Sequence, residues 1–483
     1  MLFIPLACMV AILVFRTPPK ATALFGSVLN LMVSFWVLML YSNAGGGSGL
    51  ELNIRWIEWP GFVNINFHLG VDGVSLPMVL LTTIVTVAAV AVSPVNIKRV
   101  IEFYLYLQII SLGALGAFLS KDLFFLYVFH EFALIPTFLM IGIWGGLNRQ
   151  YSSMQLTLYL ALGSLILLAG ILGLVLALPP GARTFDLVEI QRLLVQSPIP
   201  ELLQKQIYPF LLIGFGILIS LFPFHTWAPA GYAAAPAGVA MLHAGVLKKF
   251  GLYALLRVVL PLLPAGARGW ENVLIILLLG NVLYVGYVTM AQKELPLMLG
   301  YSSVMHMGYL FLGLTAWNVI GWTGVVILMV GHGLSAAALF GLNGEILRRT
   351  GESRMDRLGG LGKKMPFIST CFLMASMASI GLPGFANFAG EVTIFFGAWR
   401  SHPYATVGAL WGVVISAVYQ LRAMRAIFFG VPANAEMQVT DITSFWGRAP
   451  YYLLLGASLI IGFYPQWLIR IIEPSIQLVR GGI

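Results

Sequence analysis

Apolar stretches of about twenty residues recur from one end of the chain to the other, separated by short polar or charged connections. Each is long enough to cross a hydrocarbon core of about 30 Å as a helix. Read by hydropathy, the pattern predicts fourteen spans, near 2–16, 22–42, 74–95, 101–119, 122–143, 153–178, 207–231, 236–262, 270–291, 294–317, 319–343, 365–400, 403–430 and 448–468. Charge in the connections tests that count independently. Alternate connections carry Arg16 with Lys20, Lys98 with Arg99, Arg149, Lys293, and the run Arg348, Arg349, Arg354, Arg357, Lys363 and Lys364. All fall on one side if the N-terminus lies outside. The opposite connections, such as 43–73 with Glu51, Glu58 and Asp72, are mixed or nearly uncharged. An even number of spans with both termini outside therefore satisfies the positive-inside rule. The first apolar run lacks a preceding basic region and a small-residue cleavage site, so it reads as a retained span.

Two of the predicted spans are too long and contain a proline that should break them. Pro223 sits in Ser-Leu-Phe-Pro-Phe-His-Thr-Trp, and Pro383 in Gly-Leu-Pro-Gly-Phe-Ala-Asn-Phe-Ala-Gly-Glu. Proline removes a backbone donor and clashes with the preceding turn. In lipid the freed carbonyls must find partners in protein or water, so such breaks line cavities. The breaks lie five spans apart. Because five is odd, successive five-helix units would be inverted relative to each other, as in transporters built from inverted repeats. The chain then divides into 1–100 (three helices and an outer loop), 101–262 (first repeat), 263–430 (second repeat) and 431–483 (a last helix).

Composition agrees with the pattern. Of 483 residues, 59% are hydrophobic and 9% charged, against about 25% charged in a soluble domain. The net charge of +9 is accounted for by the connections on one side, with no need for a nucleic-acid partner. Cys8 and Cys371 are too few and too distant for a zinc site or a cluster. No dinucleotide fingerprint or phosphate-cradling loop occurs, so no cofactor and no metal is expected in this chain.

Against this apolar background a few ionisable side chains stand out. A charge at the bilayer centre costs about 2.5–3.5 kcal/mol on insertion scales. Glu131 falls in the middle of the fifth span, Lys248 and Lys249 in the eighth, His306 in the tenth, His332 in the eleventh, and Glu391 just after the break in the twelfth. Their neighbours are Gly, Ala and Ser, which let helices approach closely and leave room for water. Taken singly, an intramembrane His is more often a donor to a carbonyl than a proton carrier, and Glu131 could simply partner a lysine. Lys248 and Lys249 differ by about 100° around a helix, so only one is expected to face the interior. A series distributed over successive helices is harder to dismiss, because a proton relay needs titratable groups within water-bridged reach of one another. His225 beside the first break and Glu102 at the start of the fourth span rank second. His68 and Asp72 are read as structural groups at the outer, aqueous surface.

The strings that carry these residues resemble the antiporter-like subunits of respiratory complex I, most closely the chain M branch. The resemblance rests on His-Leu-Gly-Val-Asp-Gly-Val-Ser-Leu-Pro (68–77), the fifth-span segment from Glu131 through Ile-Gly-Ile-Trp-Gly-Gly (141–146), and Phe-Pro-Phe-His-Thr-Trp (222–227). It continues through Ala-Gly-Val-Leu-Lys-Lys (244–249), Tyr-Ser-Ser-Val-Met-His-Met-Gly (301–308), His-Gly-Leu-Ser-Ala-Ala (332–337) and Ala-Asn-Phe-Ala-Gly-Glu (386–391), in order, from about residue 60 to 470. It implies an all-α polytopic membrane fold of about fourteen helices, with two inverted five-helix repeats and a broken helix in each. It also implies a proton path through Glu131, Lys249, His306, His332 and Glu391, within a proton-translocating NADH:quinone oxidoreductase. The glutamate at 391, where other paralogues carry lysine, points to the M type. FMN, iron–sulfur clusters and quinone would belong to partner subunits, alongside paralogous antiporter-like subunits in the membrane arm of a bacterial inner membrane. A multisubunit sodium/proton antiporter, a membrane-bound hydrogenase and a non-pumping structural paralogue are the alternatives.

One departure bears on the mechanism. The family places a lysine seven residues before the His of Phe-Pro-Phe-His, and that position here is Leu218. Glu131 thus lacks its usual cationic partner. Positions 228–235, Ala-Pro-Ala-Gly-Tyr-Ala-Ala-Ala, also lack the acidic and histidine residues usual there. His130, where the family usually has Trp, and Lys248, beside Lys249, are the residues that could compensate.

Overall fold

The computed structural model describes residues 1–43, 50–59, 62–146, 148–431 and 438–481; residues 44–49, 60 and 61 of the predicted outer loop lie outside these. Among the described residues the chain is almost wholly helical, with a single β-hairpin. In chain order the elements that matter are α1 (Phe3–Leu13), α2 (Pro19–Asn43), β1 (Glu51–Trp59), β2 (Val63–Gly70), α3 (Ser75–Val92) and α4 (Val100–Leu119). They continue with α5 (Leu123–Trp144), α6 (Arg149–Leu176), α7 (Leu187–Gln196), α8 (Glu201–Ile219), α9 (Trp227–Ala234) and α10 (Ala237–Leu262). The rest are α11 (Glu271–Ala291), α12 (Leu295–Leu314), α13 (Val319–Thr350), α14 (Pro366–Ile380), α15 (Ala386–Trp399), α16 (Pro403–Phe428), α17 (Phe445–Phe463) and α18 (Pro465–Gly481).

Every predicted span coincides with helix, but fewer qualify as crossings by length and composition. Among the described residues there are eleven such helices, or twelve if the bent pair α17–α18 counts as one span. The shortfall from fourteen has three sources. Helix α1 has only 11 residues. The predicted twelfth span is divided into α14 of 15 residues and α15 of 14, each rising only about 20 Å. Helix α17 turns through 77° at Tyr464 into α18. The predicted outer loop also differs: residues 51–70 form an antiparallel hairpin, with Asn53 opposite His68 and a bulge at Arg55/Ile57. Strand β1 is exposed along its whole length, so no buried face imposed an alternation by which the sequence could reveal it.

Both proline breaks occur where expected, and each has identifiable partners for its backbone. At the first, Ser220 adopts a left-handed conformation (φ 66°) and ends α8. The side chain of Asn281 then bridges the gap: its Nδ2 donates to Ser220 O (3.0 Å) and its Oδ1 accepts from Phe222 N (2.7 Å). Asn281 lies in a π turn of α11 (Gly280–Val285), a one-turn widening of the kind found at functional sites. At the second break, Gly381 (φ +84°) ends α14, and a Cβ there would stand 2.2 Å from Oε2 of Glu391. Only glycine fits, for conformation and for space alike.

Helices α10 and α13 are surrounded by protein along their membrane windows and form the centre of the bundle. They cross closely because both present glycine. A Cβ on Gly333 would stand 2.7 Å from Gly245 O, and one on Gly245 would stand 3.0 Å from Gly333 O. Around them, α15 packs on α13 through Gly324, Gly331 and Gly390, the small-residue contact expected where lipid provides no hydrophobic drive between helices.

On the hairpin side the helix ends are tied together by ionic groups. Asp72 Oδ1 accepts from Val74 N and Ser75 N, capping α3, while its Oδ2 accepts from Arg257 Nε of α10 at 2.8 Å. Burial opposes the charge on Asp72, but Arg257 and the Ser75 amide hold its carboxyl below the usual carboxylate range. His68 on β2 is 4% exposed, which corrects its reading as an aqueous group. Its Nδ1 meets Asp186 Oδ2 at 2.6 Å and its Nε2 stands 3.5 Å from Glu51, which in turn pairs with Lys121. Asp186 also caps α7, accepting from Val188 N and Glu189 N. The hairpin, α5 and α7 thus share one ionic cluster. The Asp186 hydrogen bond raises His68 above its ordinary value despite burial, and His68 helps hold Asp186 below its own.

Two outcomes follow from these ties. Asp72→Ala strands the Arg257 guanidinium and removes a helix cap, and should cost about 3 kcal/mol in unfolding measured in detergent. The His68 contribution is complete below its unfolded value of 6.5 and is lost as pH rises through the raised folded value. Asp186 contributes in the opposite sense, losing its part as pH falls through its lowered value. Hydrogen-exchange protection of β2 and the start of α7, corrected for intrinsic rates, should therefore fall as pH climbs from neutral into the alkaline range. His68→Gln should flatten that dependence.

Candidate functional site

The π turn His243–Leu247 in α10 sets up the site. Lys248 N donates to His243 O, five residues back, at 3.2 Å, and the widened turn delivers two consecutive lysines into the protein interior. Both are fully buried, contrary to the expectation that one would turn away. The reason is that α10 has protein on every side, so each lysine finds a different neighbouring helix. Lys248 Nζ donates to Ser303 Oγ of α12 at 3.3 Å and stands over the Tyr232 ring at 5.1 Å. Lys249 Nζ donates to Ala244 O at 2.6 Å and meets Nδ1 of His332, on α13, at 2.8 Å. The glycine crossing of α10 and α13 makes that second contact possible.

The line continues from His332 to His306 on α12, whose ring centroid lies 5.6 Å away. His306 is held between two carbonyl oxygens, Ser302 O at 2.7 Å from Nδ1 and Ser379 O at 2.8 Å from Nε2. A carbonyl only accepts, so both contacts are hydrogen bonds when both nitrogens carry protons. The seat is therefore complementary to imidazolium, and Lys249 Nζ and His332 Nδ1 stand at a distance at which one proton can be shared between two nitrogens. A cavity of about 10 Å³, room for about one water, is bordered by Ser302, Ser303, His332, Ser335 and Ser379. It lies among the partners of Lys248 (Ser303), Lys249 (His332) and His306 (Ser302 and Ser379).

Past His306 the polar contacts run towards the second break. Ser302 Oγ and Tyr419 OH are 2.7 Å apart, and the Tyr309 ring packs edge-on against His306 at 5.6 Å. Tyr309 and Tyr419 both lie within electrostatic reach of Glu391 on α15. Glu391 is 4% exposed, and its Oε1 has no protein partner, nor has Tyr309 OH. Buried polar atoms of this kind are normally satisfied by water.

The remaining predicted residues are arranged differently. Glu131 on α5 is half-buried and turned towards α6, where it pairs with Ser164, itself 3.2 Å from Tyr127 OH. It is not in contact with the lysines. His225 stacks on Phe222 (5.7 Å) between the rings of Tyr284 and Tyr301, at the first break, with Nδ1 unpartnered. Glu102 pairs with Arg99 at the start of α4, part of a peripheral contact remote from α10. His243 escaped the sequence reading although it stands in the same segment as the lysines. It is 1% exposed, its Nδ1 lies 3.3 Å from Tyr232 OH, and its Nε2 is unpartnered. Among the described residues, no group of three or more His, Cys, Asp or Glu side chains is arranged to hold a metal ion.

Residues 120–416, which include Glu131, Lys248, Lys249, His306, His332 and Glu391, match the family described as NADH:quinone oxidoreductase/Mrp antiporter, TM. NADH-quinone oxidoreductase subunit M of Rickettsia felis is 30% identical over 489 residues, covering 99% of this chain and 97% of that protein. NAD(P)H-quinone oxidoreductase chain 4 1 of Synechococcus elongatus is 36% identical over 444 residues, covering 90% and 81%. A chain of respiratory complex I from Thermus thermophilus with bound NADH superposes with a TM-score of 0.89 at 26% identity, over 100% of this chain and 98% of that one. The chain is accordingly an integral, multi-pass, all-α membrane protein, and it belongs to the NADH:quinone oxidoreductase/Mrp antiporter family of transmembrane subunits.

Proposed function

We propose that this chain is the chain M-type, proton-translocating subunit in the membrane arm of an NADH:quinone oxidoreductase. The observation that carries this reading is the buried line Lys249–His332–His306, in which two nitrogens meet at 2.8 Å and the next imidazole is seated between two carbonyls. Such a line is costly to bury within membrane-spanning helices, where ionisable groups mark proton or ion routes. In this reading Glu131, His225, Lys248, Lys249, His306, His332 and Glu391 hold or pass protons. FMN, iron–sulfur clusters and quinone belong to partner subunits, and this chain carries no redox centre. Its neighbours in the arm include paralogous antiporter-like subunits, within a bacterial cytoplasmic membrane.

The finer architecture belongs to the same proposal. Fourteen crossings are obtained when α1 is counted and α14 with α15 and α17 are each taken as one span. Residues 101–262 and 263–430 then form two inverted five-helix units. The placement of the two breaks, each capped by a left-handed residue (Ser220 and Gly381), supports that symmetry. A second reading, a non-pumping spacer in the arm, draws on one observation: the position where the resemblance implies a lysine is the buried Leu218, and the contact Glu131 makes is with Ser164.

Reconstitution of the purified parent complex in proteoliposomes decides between the two. Lys249→Ala should leave the complex assembled and lower protons moved per NADH oxidised, or reduce coupled oxidation about tenfold or more, as for loss of a proton-transfer group. Glu391→Gln should act in the same direction. Unchanged ratio and rate in both variants would leave the spacer reading standing. Gly333→Ala should also lower coupled oxidation, because its methyl would stand 2.7 Å from Gly245 O and force α10 away from α13.

A further inference from the structure

Two buried histidines are unused by the route just described, and both have ring nitrogens without protein partners. His130 on α5 is 3% exposed with Nδ1 and Nε2 both unpaired by hydrogen bonds. Its Nδ1 stands 3.6 Å from Oε1 of Glu131, and its ring packs against Phe250, the residue after Lys249, at 5.9 Å between centroids. His243 is the other, opening the π turn of α10 with Nε2 unpaired. The two histidines lie within electrostatic reach of each other, and His243 within reach of both lysines. Beyond His243, its partner Tyr232 lies beneath the Lys248 ammonium nitrogen at 5.1 Å. A polar nitrogen left unpaired in an interior costs free energy comparable to a lost hydrogen bond, and such nitrogens are ordinarily satisfied by water.

We infer that His130 and His243 form a proton branch running from Glu131 to Lys248, feeding the central line from the α5 side. The inference rests on the proposed translocating function. Protonated Glu131 gives its proton to His130 Nδ1, leaving carboxylate and imidazolium. His130 releases a proton from Nε2 through bridging water to Nε2 of His243. The tautomer of His243 whose Nδ1–H donates to Tyr232 O leaves Nε2 as the acceptor for that step. His243 then returns to neutral as the Lys248 amine becomes ammonium, beside Ser303 and the single-water cavity. One proton has moved, charge is conserved, and water is the only co-reactant. The branch also gives a purpose to the second lysine: Lys248 receives from α5, while Lys249 exchanges with His332.

The test uses the reconstituted parent complex, with protons per NADH measured for His130→Gln, His243→Gln and the double variant beside Lys249→Ala. Each single variant should lower the ratio, and the double should lower it no further, because breaking one link in a series breaks the series. A full ratio in both single variants, with Lys249→Ala lowered, overturns the branch and leaves the translocating function intact. A full ratio in all of them, Lys249→Ala included, removes the function on which the branch rests. A double variant that loses clearly more than either single also overturns the series. Should a variant fail to assemble, the wild-type complex with 13C-labelled histidine supplies the reading. NADH-induced infrared difference spectra should contain more imidazole protonation bands than the proposed carriers His225, His306 and His332 supply, and their absence beyond those three would overturn the branch.

Discussion

The contact between Lys249 and His332 is the constraint around which the rest of the bundle is arranged. A lysine nitrogen stands 2.8 Å from an imidazole nitrogen where two backbones, one of them in a helix with protein on all sides, approach more closely than ordinary side chains permit. Gly245 and Gly333 provide that approach, each with the other's carbonyl where a Cβ would go. The π turn His243–Leu247 then sets the azimuth, so that consecutive lysines address different helices. Remove either device and the lysines would have to be solvated some other way or not buried at all.

The two proline breaks are solved by different means. The first is bridged by a side chain from another helix, Asn281, which satisfies one donor and one acceptor of the interrupted backbone together. The second is solved locally by glycines in left-handed conformations, Gly381 and Gly384. The first break abuts His225 and the second abuts Glu391, so a titratable group stands at the mouth of each interruption. This is what the polar backbone of a broken helix offers in lipid: a place where water is tolerated next to a charge.

Much of this was legible in the sequence, and the limits are physical. The spans, the breaks and the interior positions of Lys249, His306, His332 and Glu391 follow from apolar length and from the cost of charge in lipid, both of which are local signals. The hairpin was not legible, because β1 is exposed and carries no alternation. Nor was the burial of both lysines, since helical periodicity sets them about 100° apart and does not reveal that α10 has protein on every side. His243 and Asn281 were passed over for a third reason. Their significance lies in partners 11 residues away for His243 (Tyr232) and 61 for Asn281 (Ser220), which only the folded chain brings together.

The glycine opposite Glu391 has a consequence for how this protein can change over generations. Gly381 has no room for a methyl group, because the carboxylate occupies that space, and its φ of +84° excludes most other residues in any case. The acid and the glycine are thus one inherited unit spread over two codons. A drift to any bulkier residue at 381 displaces the carboxylate, whereas a shorter acid at 391 opens the space and withdraws the carboxylate from the turn. Exchange of the acid at 391 for a base is confined to side chains that can lie against a bare backbone at that turn.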